Sequence, residues 1–268
     1  FISGCQCHRR LWYDVHQPEL AICSSAQTYI FETGTILGEI ARKRFPEGYL
    51  IEADHKHMHE ALEETQARLT DPNQCTLFEA AFLHGDVFVR PDVLERAPNG
   101  KWNLIEVKAT SSVKPYHELD VAIQTWVVQG SGVELQSSAL MTINKGYVFD
   151  GKQLNYRELF QLHDKTDLAQ GHRPFVEEEV ARQFEMLSKD VPDIQPGPQC
   201  DDPFECPYFS HCNGEIPVPE HPLSELNGMR KERIQDMKSM GIETIPEIPD
   251  TTTLSPLHQH ICSAVKSQ

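Results

Sequence analysis

The pattern of apolar and polar positions changes period several times along this chain of 268 residues. From Ser24 to Phe45 apolar residues recur at helical spacing (Ile30, Ile36, Leu37, Ile40, Ala41), with Gly34 and Gly38 interrupting, until Pro46 and Gly48 end the helix. "YLIEA" (49–53) reads as a short strand, and residues 58–69 as an amphipathic helix stopped before "DPN". Three runs then carry strand signals: "CTLFEAAFL", "VFVRPDVLER" and "WNLIEVKATS". The turns "HGD" and "APNGK" between them suit hairpins. "ELDVAIQTWVVQG" reads as a helix ending at Gly130, and "QSSALMTIN" as another strand. Residues 153–189 read as mostly helical, with a break at 170–174. Beyond Pro192 the chain is rich in Pro, Gly and Cys as far as Pro222, and a short helical tail follows. This order predicts an α/β domain with a mixed sheet flanked by helices.

Within the third β run, alternation puts Glu106 and Lys108 on one face of a strand and Ile105, Val107 and Ala109 on the other. Taken alone, this pair has two readings, an exposed ion pair or half of a metal-dependent site. Asp92 lies in "RPDVLE", one hairpin earlier, so two adjacent strands would bring it close to Glu106 and Lys108. Two carboxylates beside a backbone carbonyl, that of Val107, make a hard-oxygen site suited to Mg²⁺ or Mn²⁺. A neighbouring ammonium can orient water or stabilise charge. Gln124 falls on the next helix, where its amide would hold Lys108 or a substrate.

Charge narrows the classes. The formal net charge of −16 speaks against a general polyanion binder. A nuclease stays open, because it can gather acidic residues around metal ions and keep a local basic groove; Arg9, Arg10, Arg90, Lys108 and Lys114 are the candidates for one. No run approaches the roughly 18 apolar residues of a membrane span, and the default expectation is a cytoplasmic protein. The start at Phe1 and the polar C-terminus suggest a piece of a longer chain. Eight cysteines are few for a disulfide scaffold, but Cys200, Cys206 and Cys212 are evenly spaced in "QCDDPFECPYFSHC".

The pieces "RPDVLE", "IEVKATSS" and "DVAIQTWVV", in that order, resemble the PD-(D/E)XK nuclease superfamily, particularly its RecB-like branch. The likeness spans roughly residues 1–215. It implies a restriction-endonuclease-like sheet, and a nuclease in which Asp92, Glu106 and the Val107 carbonyl bind Mg²⁺ or Mn²⁺. Lys108 and Gln124 would then serve hydrolysis of DNA, single-stranded or with free ends. Two positions depart from the branch: Gly38 stands where a helical His often ligates the metal, and Val128 where a Tyr often follows the Gln. The wording "EVKATSSVKPYHELDVAIQ" is similar to an uncharacterised group in which that His is commonly absent.

"CHRRLW", beginning at Cys7, is similar to the N-terminal signature of the iron–sulfur members of that branch, among them CRISPR-associated exonucleases. By that resemblance Cys7, Cys200, Cys206 and Cys212 hold a structural [4Fe–4S] cluster, a staple on a helical and loop subdomain that ties the start of the chain to the segment beyond the core. Four thiolates suit Zn²⁺ equally on chemistry alone. The resemblance also implies protein partners from a DNA-processing or defence system. The rival class is an inactive iron–sulfur or zinc scaffold that binds nucleic acid or protein.

Other features carry less. His55, His57 and His59 read either as a solvated segment or as ligands. Tyr116 and His117 lie near the expected site. Trp12, Tyr13 and Trp126 either stack on bases or pack. The tail (216–268), with "MKSMGIETIPEIPD" at 237–250, resembles a helix-hairpin-helix element turning at Gly241.

Overall fold

The computed structural model describes residues 1–53, 55–214, 220–226 and 228–267. They fall into two compact units, Phe1–Cys212 and Asn213–Gln268. The expected boundary at 215/216 lies among residues outside that description.

The first unit opens with two short helices, α1 (Ile2–Gln6) and α2 (His8–His16). Helix α3 (Ser25–Arg42) follows, started by Ser24, whose hydroxyl accepts from the Gln27 N–H while the Gln27 side chain returns to the Ser24 N–H. Gly34 and Gly38 do not interrupt it. Packing of Leu37, Ile40 and Ala41 holds the helix through both glycines. Strand β1 is only Tyr49–Leu50, shorter than expected. Helix α4 (Met58–Thr70) leads into β2 (Thr76–Phe78), β3 (Phe82–His84), β4 (Val87–Val89), β5 (Val93–Arg96) and β6 (Trp102–Lys108). Helix α5 (Pro115–Gly130) and β7 (Leu135–Ile143) come next.

Residues 153–189 depart from the helical expectation. A one-turn helix, α6 (Tyr156–Leu159), gives way to strand β8 (Phe160–Asp164), which pairs with β7 from Ile143↔Phe160 to Ala139↔Asp164. "FQLHD" does alternate apolar and polar, a short strand signal inside a stretch otherwise read as helical, and pairing with the open edge of β7 fixes its state. No break occurs at 170–174 either, because α7 (Thr166–Leu187) runs through Pro174. The buried stripe of Ala169, Val176 and Val180 outweighs the backbone bond that proline forfeits. The unit ends in α8 (Phe209–Cys212).

The main sheet is mixed, in the order β1-β2-β5-β6-β7-β8, with β3 and β4 forming a separate hairpin. Cross-strand register divides the core. Leu77, Leu94 and Leu104 line up on the face covered by α5 and α7, whereas Phe78, Val93 and Ile105 line up on the face covered by α3. A six-stranded mixed sheet flanked by helices is thus the observed architecture.

The second unit packs Leu223, Leu226, Met237, Ile245, Ile248 and Cys262 into its own core. It contains α9 (Lys231–Ser239) and α10 (Pro256–Lys266). Gly241 takes φ +79° in the turn after α9, a left-handed value that suits glycine. The chain then makes a 3₁₀ turn at Ile245–Glu247, so the second helix of the expected hairpin element starts only at Pro256. Among the described residues no helix is long and apolar enough to cross a membrane.

Candidate active site and cysteine cluster

β6 is flanked by β5 on one side and by β7 on the other; the β5 pairing reaches Ile105, and the β7 pairing continues to Lys108. Alternation brings Glu106 and Lys108 to the α5 side, in line with Trp102 and Leu104. Val93 pairs with Ile105, so one step further along the antiparallel register Asp92 stands across from Glu106. The Val107 N–H donates to Asp92 Oδ2 at 2.7 Å. The hairpin therefore joins Asp92, Glu106, Val107 and Lys108 at the end of two strands.

Helix α5 completes the group. Lys108 Nζ donates to Glu106 Oε1 at 2.9 Å and, from the other side, to Asp120. Gln124, one turn after Asp120, donates Nε2 to Asp120 Oδ1 at 3.2 Å. Gln124 thus reaches Lys108 through Asp120. Asp120 was not among the residues singled out from the sequence, although its i,i+4 relation to Gln124 puts the two on one helix face.

The electrostatics are those of crowded acids. Burial first, then the Glu106 charge, pushes the Asp92 carboxyl well above the usual carboxylate range, and the bond from Val107 only partly restrains it. Burial also raises Glu106, against the stabilising pull of Lys108. Burial opposes charge on Lys108 as well, but Glu106 and Asp120 outweigh it and raise its pKa. A lysine held protonated in this way cannot take a proton from water; it can orient water or stabilise negative charge. Glu106 Oε2 and Gln124 Oε1 are both buried with no hydrogen-bond partner. A buried carboxylate oxygen without a partner, next to a second buried carboxyl, fits a divalent cation.

Other acids and bases surround this group. Glu79, absent from the sequence candidates, adds its charge to Asp92 and is held by Arg42 at 3.0 Å and Arg90 at 3.8 Å. His117 is buried, and its Nδ1 accepts from the Lys114 N–H at 3.2 Å. Burial and the nearby Lys108 lower its pKa to about 4. Gly38 lies on α3, and a Cβ built there meets nothing within 4 Å. The neighbouring Glu39 is exposed, and Val128 is fully buried in the core.

The five cations expected to form a groove do not converge. Arg9 and Arg10 lie beside the cysteines, Arg90 is tied to Glu79 and to the Ile51 carbonyl, Lys114 adjoins His117, and Lys108 is paired with Glu106 and Asp120. The aromatic candidates pack. Tyr13 and Trp126 are buried, and Trp12 donates to the Lys189 carbonyl and stacks on His16. The side chain of His55 lies outside the described residues.

The second cluster joins the two ends of the first unit. Gln6 Nε2 donates to the carbonyls of Gln199 and Phe204, both at 2.7 Å, and Arg9 donates to the Ile194 carbonyl. Tyr13 packs on Tyr208 with ring centroids 5.3 Å apart. Within this frame Cys200 and Cys206 are buried. The Cys206 N–H donates to the Cys200 carbonyl, and the Cys212 N–H to that of Tyr208. Burial pushes the Cys206 thiol up to about 11 and raises Cys212, whose neighbours include Cys200 and Cys7. Cys5 sits apart, with its sulfur near Gln183 and Glu179.

Arg10 Nε is buried without a partner close to Cys206. Neighbouring thiols with one buried, unpartnered guanidinium N–H beside them fit an anionic thiolate-bound group. Among the described residues no three His, Cys, Asp or Glu side chains form a ready-made cation site. The cysteine loop also touches α5, through Tyr116 and Phe204 with ring centroids 4.6 Å apart.

No family model matches this chain, and no curated protein matches it. A solved structure titled "Crystal structure of SSO0001" aligns with 69% of this chain and 73% of that one, at 18% identity and a TM-score of 0.32. A superposition that loose carries no argument.

Proposed function

We propose that the first unit is a RecB-like PD-(D/E)XK nuclease, with a restriction-endonuclease-like sheet and a [4Fe–4S] clasp, that hydrolyses phosphodiesters of single-stranded or free-ended DNA. The observation that carries this reading is the convergence of Asp92, Glu106 and Lys108 at one sheet end with Glu106 Oε2 buried and unpartnered. Asp92, Glu106 and the Val107 carbonyl would hold Mg²⁺ or Mn²⁺. Such an ion, when bound, acts as a Lewis acid and lowers the pKa of its water. Lys108, kept protonated by Glu106 and Asp120, stabilises charge on the phosphate and orients water. Gln124 fixes Asp120 and so the ammonium. Cys7, Cys200, Cys206 and Cys212 would carry the cluster in a structural role.

A second reading, a scaffold without turnover, draws on Gly38 and on the closed Glu106–Lys108–Asp120 ion triad. The two are separated by incubating labelled single strands with Mn²⁺ and wild type, Glu106→Ala or Lys108→Ala protein. Cutting by wild type alone supports the nuclease. Equal inertness of all three across several divalent ions rules it out.

A further inference from the structure

Three cations gather away from the acidic site, where α3 ends against the β7–β8 connection. They line an open groove of about 430 Å³, in the size range of small-ligand sites. Lys43, Arg44 and Arg157 line it with Tyr156, Asn155 and Gln153, and no carboxylate does so among the described residues. In a chain of net charge −16 this is the opposite of the average surface.

The groove's geometry is fixed from below. Arg44 Nη1 donates to the carbonyls of Arg157 and Phe160, at 3.0 and 3.3 Å. Lys43 Nζ lies 5.9 Å from the centre of the Tyr156 ring. Among the described residues none of the three cations has a carboxylate within ion-pair distance. Burial lowers the Arg44 pKa, Glu95 pulls it back up, and the like charge of Arg157 adds to the lowering. The nearest acid on the connection, Glu158, is engaged by the Asn155 amide at 2.8 Å. Two guanidinium groups and an ammonium lining one groove, with no carboxylate in its lining among the described residues, suit an anion.

Its position selects the anion. Lys108 pairs with Thr142, and the next residue, Ile143, pairs with Phe160, whose carbonyl holds Arg44. The groove therefore opens at the same end of the sheet as the Asp92–Glu106–Lys108 group, on the α3 face. An extended polyanion that rounds this sheet end reaches both. Tyr156 adds a ring for stacking, and Gln153 adds an amide. Phosphates, rings and edge hydrogen bonds together suit a nucleic-acid strand better than an acidic peptide.

We propose that this groove binds the backbone of a single nucleic-acid strand, with Lys43 and Arg157 on phosphates and Tyr156 against a base. The assignment extends the nuclease reading by giving the strand a path, and it is tested without divalent metal so that the two fail separately. The assay is anisotropy of a fluorescein-labelled oligothymidylate of about 20 nucleotides with the full chain in EDTA, over a range of KCl concentrations. Replacing Lys43 and Arg157 together by Ala weakens binding about tenfold or more and reduces the salt slope by about 1.4, or 0.7 per lost contact. Tyr156→Ala weakens binding about fivefold or more.

Lys101→Ala, at the far end of β6, changes binding less than about twofold. On the wild type, bound strand protects Lys43 from acetylation while Lys101 still reacts, a readout that needs no variant to fold. Unchanged affinity and slope in the double variant overturn the proposal, as does equal acetylation of Lys43 with and without the strand. Displacement by oligoglutamate as effective as by unlabelled oligothymidylate overturns it in favour of an acidic protein segment. Intact binding with no cutting under any metal defeats only the nuclease reading.

Discussion

Lys108 is held between two carboxylates, Glu106 on its own strand and Asp120 on α5, and the second of these ties the sheet to the helix. All three side chains are largely shielded from solvent. Lys108→Met leaves two acids without their cation and is expected to destabilise the unit by about 3 kcal/mol at pH 8. The loss shrinks at pH 5, where burial favours protonation of the orphaned Glu106. Asp120→Asn keeps the Glu106 partner and is expected to cost about 1–2 kcal/mol. Urea unfolding at the two pH values measures both.

His117 sets a separate pH dependence. Its folded pKa, about 4, lies below the usual histidine value because burial and Lys108 disfavour its charge. The unfolded chain therefore binds more protons between pH 6.5 and about 4. The stabilisation from His117 is complete above pH 6.5 and is lost as pH falls through about 4. His117→Asn, which keeps an acceptor for the Lys114 N–H, is expected to flatten the fall in melting temperature over that window. An equally steep fall in the variant rejects the assignment.

The orphaned Glu106 Oε2 predicts a cation response independent of turnover. Mn²⁺ at about 100 times its dissociation constant is expected to stabilise wild type by about 2.7 kcal/mol, seen as a rise in melting temperature. Glu106→Gln and Asp92→Asn should abolish the rise. A rise of equal size in both variants would locate the ion elsewhere.

A Cβ at Gly38 on α3 meets nothing within 4 Å, which makes Gly38→His a usable variant. Removing a helical glycine is expected to stabilise by a few tenths of a kcal/mol up to about 0.5 kcal/mol. If α3 supplies the metal ligand that the resemblance implies, the same change tightens Mn²⁺ binding, as isothermal titration would show. By contrast, a Cβ on Gly48 would come within 2.2 Å of the buried Phe78 ring, and Gly48→Ala is expected to lower the melting temperature.

Cys5 and Cys7 separate the cysteine chemistry. Cys7 lies near Cys212, whereas Cys5 lies against Gln183. Anaerobically purified protein is expected to contain iron and absorb near ~410 nm. Cys7→Ser and Cys206→Ser should lose the band and Cys5→Ser should keep it. Zinc without iron in the wild type would replace the cluster by a tetrahedral site.

By itself the sequence determined the elements whose signal is local. Alternation in "LIEVK" put Glu106 beside Lys108, the hairpin turn brought Asp92 alongside, and helical spacing marked α3, α4 and α5. Tertiary structure decided whatever depends on a neighbour distant in sequence. The free edge of β7 made a strand of Phe160–Asp164, and core packing carried α7 through Pro174. Asp120 became the partner of Lys108 only when α5 docked on the sheet. Likewise the basic groove joins residues 43–46 to 153–157, two segments that no periodicity connects. Spacing along one strand or helix fixes which side chains share a face, but burial and charge pairing belong to surfaces that only the folded chain brings together.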